Sequence, residues 1–235
     1  MELKRSEWNL SYENKNNFVF YPHEEVIRFI SKYIRKRVGF DAFQDQNNYS
    51  HRPRLLDFGC GIGRHVFLAH DFSLDAYGFD LSDEAIRVAQ AHARSLEKEE
   101  LETNLMAASI LNLPYESNFF DCMLSHGVLD SMTFDIAKKG IAQLHRVIKP
   151  DGLIYFDVID EEDGSCDNVN LEKVVQTDHE KGTVQTYFNQ GRIEALLHST
   201  FKVIELYRIR REDMLSNSLI SRYHVIAKKI STETV

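Results

Sequence analysis

Residues 55–65 read Leu-Leu-Asp-Phe-Gly-Cys-Gly-Ile-Gly-Arg-His, an apolar strand that carries a carboxylate and then runs into glycines at alternate positions. Gly59, Gly61 and Gly63 open backbone conformations closed to other residues and let a ligand approach the main chain. The apolar run Val66 to Ala69 begins a helix whose first N–H groups are free and whose N-terminus is partly positive. The pattern is therefore a ligand-binding strand, loop and helix. Its spacing is G-x-G-x-G rather than the dinucleotide G-x-G-x-x-G, and Arg64 stands where a last glycine would allow close packing beneath a pyrophosphate. Asp57, two residues before the first glycine, suits a cationic ligand better than a phosphate. Cys60 reads as a small residue tolerated in a tight turn, since the sequence fixes no base beside it.

A second carboxylate, Asp80, ends the segment Ala-Tyr-Gly-Phe-Asp, 17 residues after Gly63. At that distance it is placed to accept hydrogen bonds from ribose hydroxyls; an Asp there also reads as a cap or turn residue. Leu81 would lie against an adenine, and Ser82 would cap the helix over residues 83–96. A cofactor carrying an ammonium and a sulfonium fits these groups. The run D-F-G-C-G-I-G-R resembles the glycine-rich motif of class I S-adenosylmethionine-dependent methyltransferases. The segment from Leu105 resembles a second motif of that family, G-D-A-x-x-L-P-F followed by F-D at the fourth strand. Here Ala108-Ser109-Ile110 stands at the G-D-A positions, Leu113-Pro114-Tyr115 follows, and Phe120-Asp121 opens the strand. Ser109 departs from the family Asp that holds the adenine amino group and accepts a hydrogen bond more weakly, which shifts that contact toward the Ile110 backbone.

The resemblance implies S-adenosyl-L-methionine as cofactor and S-adenosyl-L-homocysteine as product. The expected cofactor residues are Asp57, Gly59, Cys60, Gly61, Gly63, Arg64, Asp80, Leu81, Ser109, Ile110, Leu111, Ser125 and His126. His126 ends the fourth strand, and open α/β sheets bind ligands beyond the carboxyl ends of their strands. It is the leading candidate for a general base, with the alternative that it shapes the pocket without moving a proton. Asp130 and Asp135 rank behind it, each also readable as a solvated loop or helix N-terminal charge. The reaction implied is methylation of an O or N atom of a small-molecule acceptor. The basic excess near both ends favours an anionic one, with Arg222 binding it or serving as an exposed strand residue. The rings of Tyr12 and Tyr21 are candidates to face the sulfonium or the acceptor. The alternative function is a catalytically inactive, cofactor-binding partner subunit of another enzyme.

The elements that must position these residues read as a three-layer α/β sandwich. The resemblance gives it a mostly parallel seven-stranded sheet with a C-terminal antiparallel hairpin and helices on both faces. Residues 1–21 carry Trp8, Tyr12, Phe18, Phe20 and Tyr21, too many aromatics for a disordered tail; they pack on the domain surface or form a lid. Periodicity predicts a helix over residues 22–37, closed by Arg35, Lys36 and Arg37, then a polar loop over 41–53. A helix over 133–148, a turn at Lys-Pro-Asp-Gly and a buried strand over 153–159 follow. Residues 160–181 read as a solvated acidic run, 183–188 as a strand, 190–199 as a helix, and 201–212 with 219–229 as two antiparallel strands.

At 235 residues the chain is expected to form a single domain, residues 1–235. Its net charge of −8 is uneven: residues 1–37 hold eight Lys/Arg against five Asp/Glu, and residues 201–235 hold seven against four. Without a concentrated basic patch, nucleic acid is not the expected main partner. Three scattered cysteines indicate neither a disulfide framework nor a zinc site, and Asp160 with Glu161 lacks calcium-loop spacing, so no metal is expected. No apolar run reaches membrane-span length and no signal-peptide core is present, giving a cytoplasmic expectation, as a monomer or homodimer.

Overall fold

The computed structural model describes residues 4–167, 170–177 and 180–230. The chain opens with α1 (Arg5–Glu13) and α2 (Glu24–Phe29), a π-helical turn over Ile30–Ile34, and a ribbon of β1 (Arg35–Arg37) and β2 (Phe43–Asp45). Next come β3 (Arg54–Phe58), α3 (Arg64–Asp71), β4 (Asp75–Asp80), α4 (Asp83–Ser95), α5 (Glu99–Asn104) and β5 (Leu105–Ala107). Then follow β6 (Phe120–Leu124), α6 (Phe134–Val147) and β7 (Ile148–Ile159). A second ribbon, β8 (Glu172–Val174) with β9 (Val184–Thr186), precedes α7 (Gln190–Leu197), β10 (Phe201–Glu212) and β11 (Leu219–Lys229).

Seven strands form one sheet in the order β10-β11-β7-β6-β3-β4-β5. Strands β3 to β7 are parallel, and β11 is antiparallel to both β7 and β10, as expected from the sequence. Along the inner strands successive side chains alternate between faces. Leu56, Met123 and Ile154 pack with Ile141 and Ile193 on one face, while Leu55, Cys122 and Tyr155 pack with Phe29, Val66 and Ile86 on the other. Each such fully buried side chain contributes ~1.5–3 kcal/mol. The connections leave β3 in one direction toward β4 and β5, and the strand on its other side, β6, follows only afterwards. That reversal opens a crevice beyond the carboxyl ends of β3 and β6, which brings the loop after Phe58 and the turn after Leu124 to one place.

Helix ends follow local chemistry. Ser82 caps α4, Thr133 caps α6 and Asn189 caps α7, each side-chain oxygen accepting an N–H of the first turn. Three expectations need correction. The helix over 22–37 ends at Phe29 and, past the π-helical turn, Arg35 is extended. Arg35 to Arg37 instead pair with Phe43 to Asp45, inside the expected polar loop. The Arg35 guanidinium there meets the Asp45 carboxylate and the Ser73 carbonyl, so the charge that suits a helix C-terminus serves a ribbon equally well. The acidic run after residue 160 is not simply solvated. Asp160 is fully buried, accepting from Ser221 Oγ at 2.7 Å and Arg208 Nη1 at 3.2 Å. Asp163 accepts the Ser221 N–H at 2.8 Å. The same run also contains β8.

Candidate active site

The glycine loop is shaped by hydrogen bonds to β4. Gly59 and Cys60 both donate to the Phe79 carbonyl, at 2.8 and 2.9 Å, and Gly61 donates to Asp80 Oδ2 at 2.8 Å. Asp80 Oδ1 accepts the Ser82 N–H, also at 2.8 Å, so one carboxylate ties the loop to the start of α4. Gly59 has φ +72°, and a Cβ there would lie 2.4 Å from Val128 Cγ2. Gly61 has φ +53°, and a Cβ there would meet the Tyr12 hydroxyl at 2.6 Å. Both left-handed backbones and both close approaches require glycine.

Helix α1 covers this loop. Arg5 pairs with Asp83 at 2.8 Å, and Ser82 Oγ donates to Asn9 Oδ1 at 2.7 Å. Tyr12 is buried over Gly61, and burial together with the Asp80 charge pushes its phenol well above the ordinary range. Beneath α1 lies a cavity of about 440 Å³. Gly59, Cys60, Gly61, Arg64, Asp80, Leu81 and Ile110 line one end, His126 and Arg222 line the other, and Tyr12 lies in the cover.

The remaining expected residues lie elsewhere. Gly63 is the left-handed residue before α3, and Asp57 is buried below the loop. Ser109 Oγ accepts the Leu111 N–H at 3.1 Å, closing a local turn; neither side chain lines the cavity. Ser125 Oγ donates to the Phe58 carbonyl at 2.8 Å, locking β6 to β3. Tyr21 is 84% exposed, and only its carbonyl reaches the site, accepting from Arg64 Nη1 at 3.2 Å. Its ring has been carried outward because the chain turns there into α2.

Arg222 is neither an exposed strand residue nor a free anion receptor. Its Nε donates to Asp157 Oδ2 and its Nη2 to Asp130 Oδ2, the latter at 2.7 Å. Burial works against the Asp157 charge, yet the Arg222 guanidinium holds that carboxyl well below the usual range. Asp130 is shifted upward, by burial and by the Asp157 charge, although Arg222 opposes it. Asp157 Oδ1 also accepts the Gly127 N–H at 2.8 Å. The general-base expectation for His126 does not fit this geometry. Its Nδ1 lies 3.3 Å from Arg64 Nη2 and its Nε2 lies 3.5 Å from Asp157 Oδ2. The neutral ring therefore turns its lone pair to an arginine, its buried Nε2–H makes no hydrogen bond, and burial lowers its pKa to about 3. Asp157 was missed because it sits in a strand otherwise read as structural; a lone carboxylate within Leu-Ile-Tyr-Phe-Asp-Val-Ile was the available signal. Trp8, one of the N-terminal aromatics, lines the cavity from α1, and nothing in sequence spacing pointed to Met132 or Gln185, which line it from the turn after β6 and from β9.

The methyltransferase domain family matches residues 50–205, about two thirds of the chain. This chain belongs to the S-adenosylmethionine-dependent methyltransferases. It is similar to the tRNA (carboxymethyluridine(34)-5-O)-methyltransferase of Arabidopsis thaliana, 32% identical over 105 residues, 44% of this chain and 23% of that protein. It is also similar to the norajmaline N-methyltransferase of Rauvolfia serpentina, 31% identical over 103 residues, 43% of this chain and 34% of that protein. The aligned part thus spans about a third or less of those relatives. Among solved structures, a SAM-dependent methyltransferase from Methanosarcina mazei superposes with a TM-score of 0.63 at 20% identity, over 78% of this chain and 95% of that one, a likeness of fold.

The methyltransferase's site fits the cofactor of its family. Asp80 has lone pairs left beyond its two backbone bonds for hydroxyl donors, and the buried Asp57 Oδ2 has no hydrogen-bond partner. Burial pushes the Asp57 carboxyl up to about 8, with Arg64 opposing and Asp80 reinforcing the rise. The folded chain then keeps a proton that the unfolded chain loses near pH ~3.9. Stability attributable to Asp57 consequently falls as pH rises from there to about 8. Asp57→Asn is expected to remove this slope. It should stabilise the ligand-free protein by about 2 kcal/mol near neutral pH after the cost of burying the amide, roughly 4–8 °C in Tm. Because the Asp57 carboxyl already keeps its proton near neutral pH and lies below the loop, outside the cavity lining, the same change should leave S-adenosylhomocysteine binding within about threefold of wild type, or ~0.7 kcal/mol. Thermal melts at two pH values and calorimetric titration check both parts; a variant melting below wild type near neutrality contradicts the first.

Proposed function

We propose that this methyltransferase moves the methyl group of S-adenosylmethionine to an oxygen or nitrogen atom of a small-molecule acceptor. The observation that carries this reading is the continuity of one covered cavity from Gly61 and Asp80 to Asp130 and Arg222. A cofactor end and an acceptor end sharing one enclosure allow an attacking atom to be aligned with a methyl donor away from water. The cofactor, when bound, supplies an activated methyl on a sulfonium. The glycine loop and Asp80 would hold its nucleoside part, Ile110 and Leu81 would pack on its base, and Arg64 borders the passage between the two ends. A volume of about 440 Å³ lies within the usual range of small-ligand sites, roughly 300–1,000 Å³. Together with the net charge of −8, this supports a small molecule over a nucleic acid, although the Arabidopsis relative is named for action on tRNA.

The described part of the segment over residues 1–21, residues 4–21, serves as the lid in this reading. Its outer latch, Arg5 with Asp83, is an exposed pair, worth ~0–1 kcal/mol, so α1 can lift to admit ligands without unfolding the sheet. Among the described residues no helix is long and apolar enough to cross a membrane. The test is calorimetric titration with S-adenosylhomocysteine followed by screening of acceptors for S-adenosylhomocysteine release. Micromolar binding with turnover of a small molecule supports the proposal. Binding with no turnover across a broad panel favours a partner subunit, and no binding removes the reading altogether.

A further inference from the structure

Asp130 is held from three sides and still has an oxygen unused. Its side chain is buried, with Oδ2 accepting the Ile159 N–H at 2.9 Å and Arg222 Nη2 at 2.7 Å. Its carbonyl accepts from the Thr186 N–H at 2.7 Å and from Gln185 Nε2 at 3.0 Å, which fixes it against β9. Oδ1 has no partner among the described residues, and Asp130 borders the acceptor end of the cavity. A buried carboxylate oxygen left unpaired is costly, and a hydrogen-bond donor carried by a ligand in the cavity would satisfy it.

Local charge narrows that donor. Two carboxylates, Asp130 and Asp157, share the single Arg222 guanidinium, and the next cation, Arg64, stands on the far side of neutral His126, so the charges in contact with Asp130 are one positive charge short of balance. An anion would meet repulsion there, whereas a cation completes the set. The surrounding walls, Val128, Met132, Ile136 and Val184, suit an apolar body.

We propose that the acceptor is a primary or secondary amine, bound as its ammonium with an N–H on Asp130 Oδ1, and that Asp130 takes the proton that frees the nitrogen lone pair. This rests on the methyltransferase reading above. The proton passes from the ammonium to Oδ1. The freed pair then forms the N–C bond as the methyl–sulfur bond breaks, with its electron pair retained by sulfur. The product is the methylated ammonium with S-adenosylhomocysteine, and Asp130 afterwards releases its proton to water. Asp130 is thus the acceptor-binding and proton-accepting residue, a role the sequence assigned first to His126.

The test compares matched probes on the S-adenosylhomocysteine-loaded protein: phenethylamine, 2-phenylethanol and phenylacetate, with homologues one and two carbons longer. The expected result is that amines bind at least tenfold more tightly than their alcohols and carboxylates, by calorimetry or thermal shift, and that amines alone yield methylated product with S-adenosylmethionine. In Asp130→Asn the amine preference should vanish while S-adenosylhomocysteine affinity stays within twofold of wild type. The ranking in the wild-type protein needs no variant and stands even if Asp130→Asn folds poorly. Alcohols or carboxylates bound as well as amines, or no amine bound by protein that still takes up S-adenosylhomocysteine, would overturn the amine assignment and leave methyl transfer standing. Failure to bind S-adenosylhomocysteine would strike the methyltransferase reading instead.

Discussion

Arg222→Met is expected to destabilise the protein by about 3–5 kcal/mol at pH 7, or roughly 10 °C in Tm for a chain of this size. The guanidinium is the common partner of Asp130 and Asp157, and both carboxylates are buried. Methionine preserves most of the apolar stem but leaves two like charges together in a poorly solvated space. The pH dependence identifies the cause. In the wild type Asp157 titrates well below the ordinary carboxylate range, so its stabilisation is present above the unfolded value of ~3.9 and is lost as pH falls through its folded value. In the variant both carboxyls lose their cation and are raised instead. The deficit should therefore shrink as pH drops from about 7 to about 5 and they take up protons. Denaturant melts across that interval measure this, and a deficit independent of pH would show that lost packing, not charge, is responsible. Adding Asp157→Asn to Arg222→Met should return part of the stability, because only one unpaired carboxylate then remains.

Asp80→Asn should abolish useful cofactor binding, weakening S-adenosylhomocysteine by at least about 100-fold, or ~2.7 kcal/mol. The substitution keeps size and shape but not acceptor chemistry. Both carboxylate oxygens receive backbone N–H groups, from Gly61 and Ser82 at 2.8 Å each. An asparagine has only one oxygen, so its amide would point N–H groups at one of these donors. The loop must then give way at Gly61, where Tyr12 already packs closely, and the cavity loses the carboxylate facing it. A stability loss of about 2 kcal/mol, near 4–8 °C, should accompany the change. Titration with S-adenosylhomocysteine alongside a thermal melt separates the two effects. Retained affinity in a folded variant would rule out Asp80 as a cofactor ligand.

Local pattern carried much of the architecture. The glycine loop was legible because glycines at alternate positions after a buried strand have few other uses, and the carboxylate at position 80 was legible by its distance from that loop. The terminal hairpin was legible because two long strands joined by six residues must pair antiparallel. The errors share a different origin. The helix over 22–37 follows from apolar spacing and terminal charge, and neither reveals that Arg35 has Asp45 and the Ser73 carbonyl waiting across the fold. The acidic run reads as solvated because Ser221, 58 residues from Asp163 along the chain, is invisible as its partner.

By itself the sequence determined where a ligand meets the backbone, since left-handed glycines, caps and strand ends depend on neighbours within a few residues. Only the tertiary structure decided that Arg222 is paired rather than free to receive an anion. Arg222, Asp157 and Asp130 come from β11, β7 and the turn after β6, and a guanidinium is a receptor or a spent partner according to which carboxylates the fold brings within hydrogen-bond reach. That pairing depends on strand register and burial, which no single segment encodes.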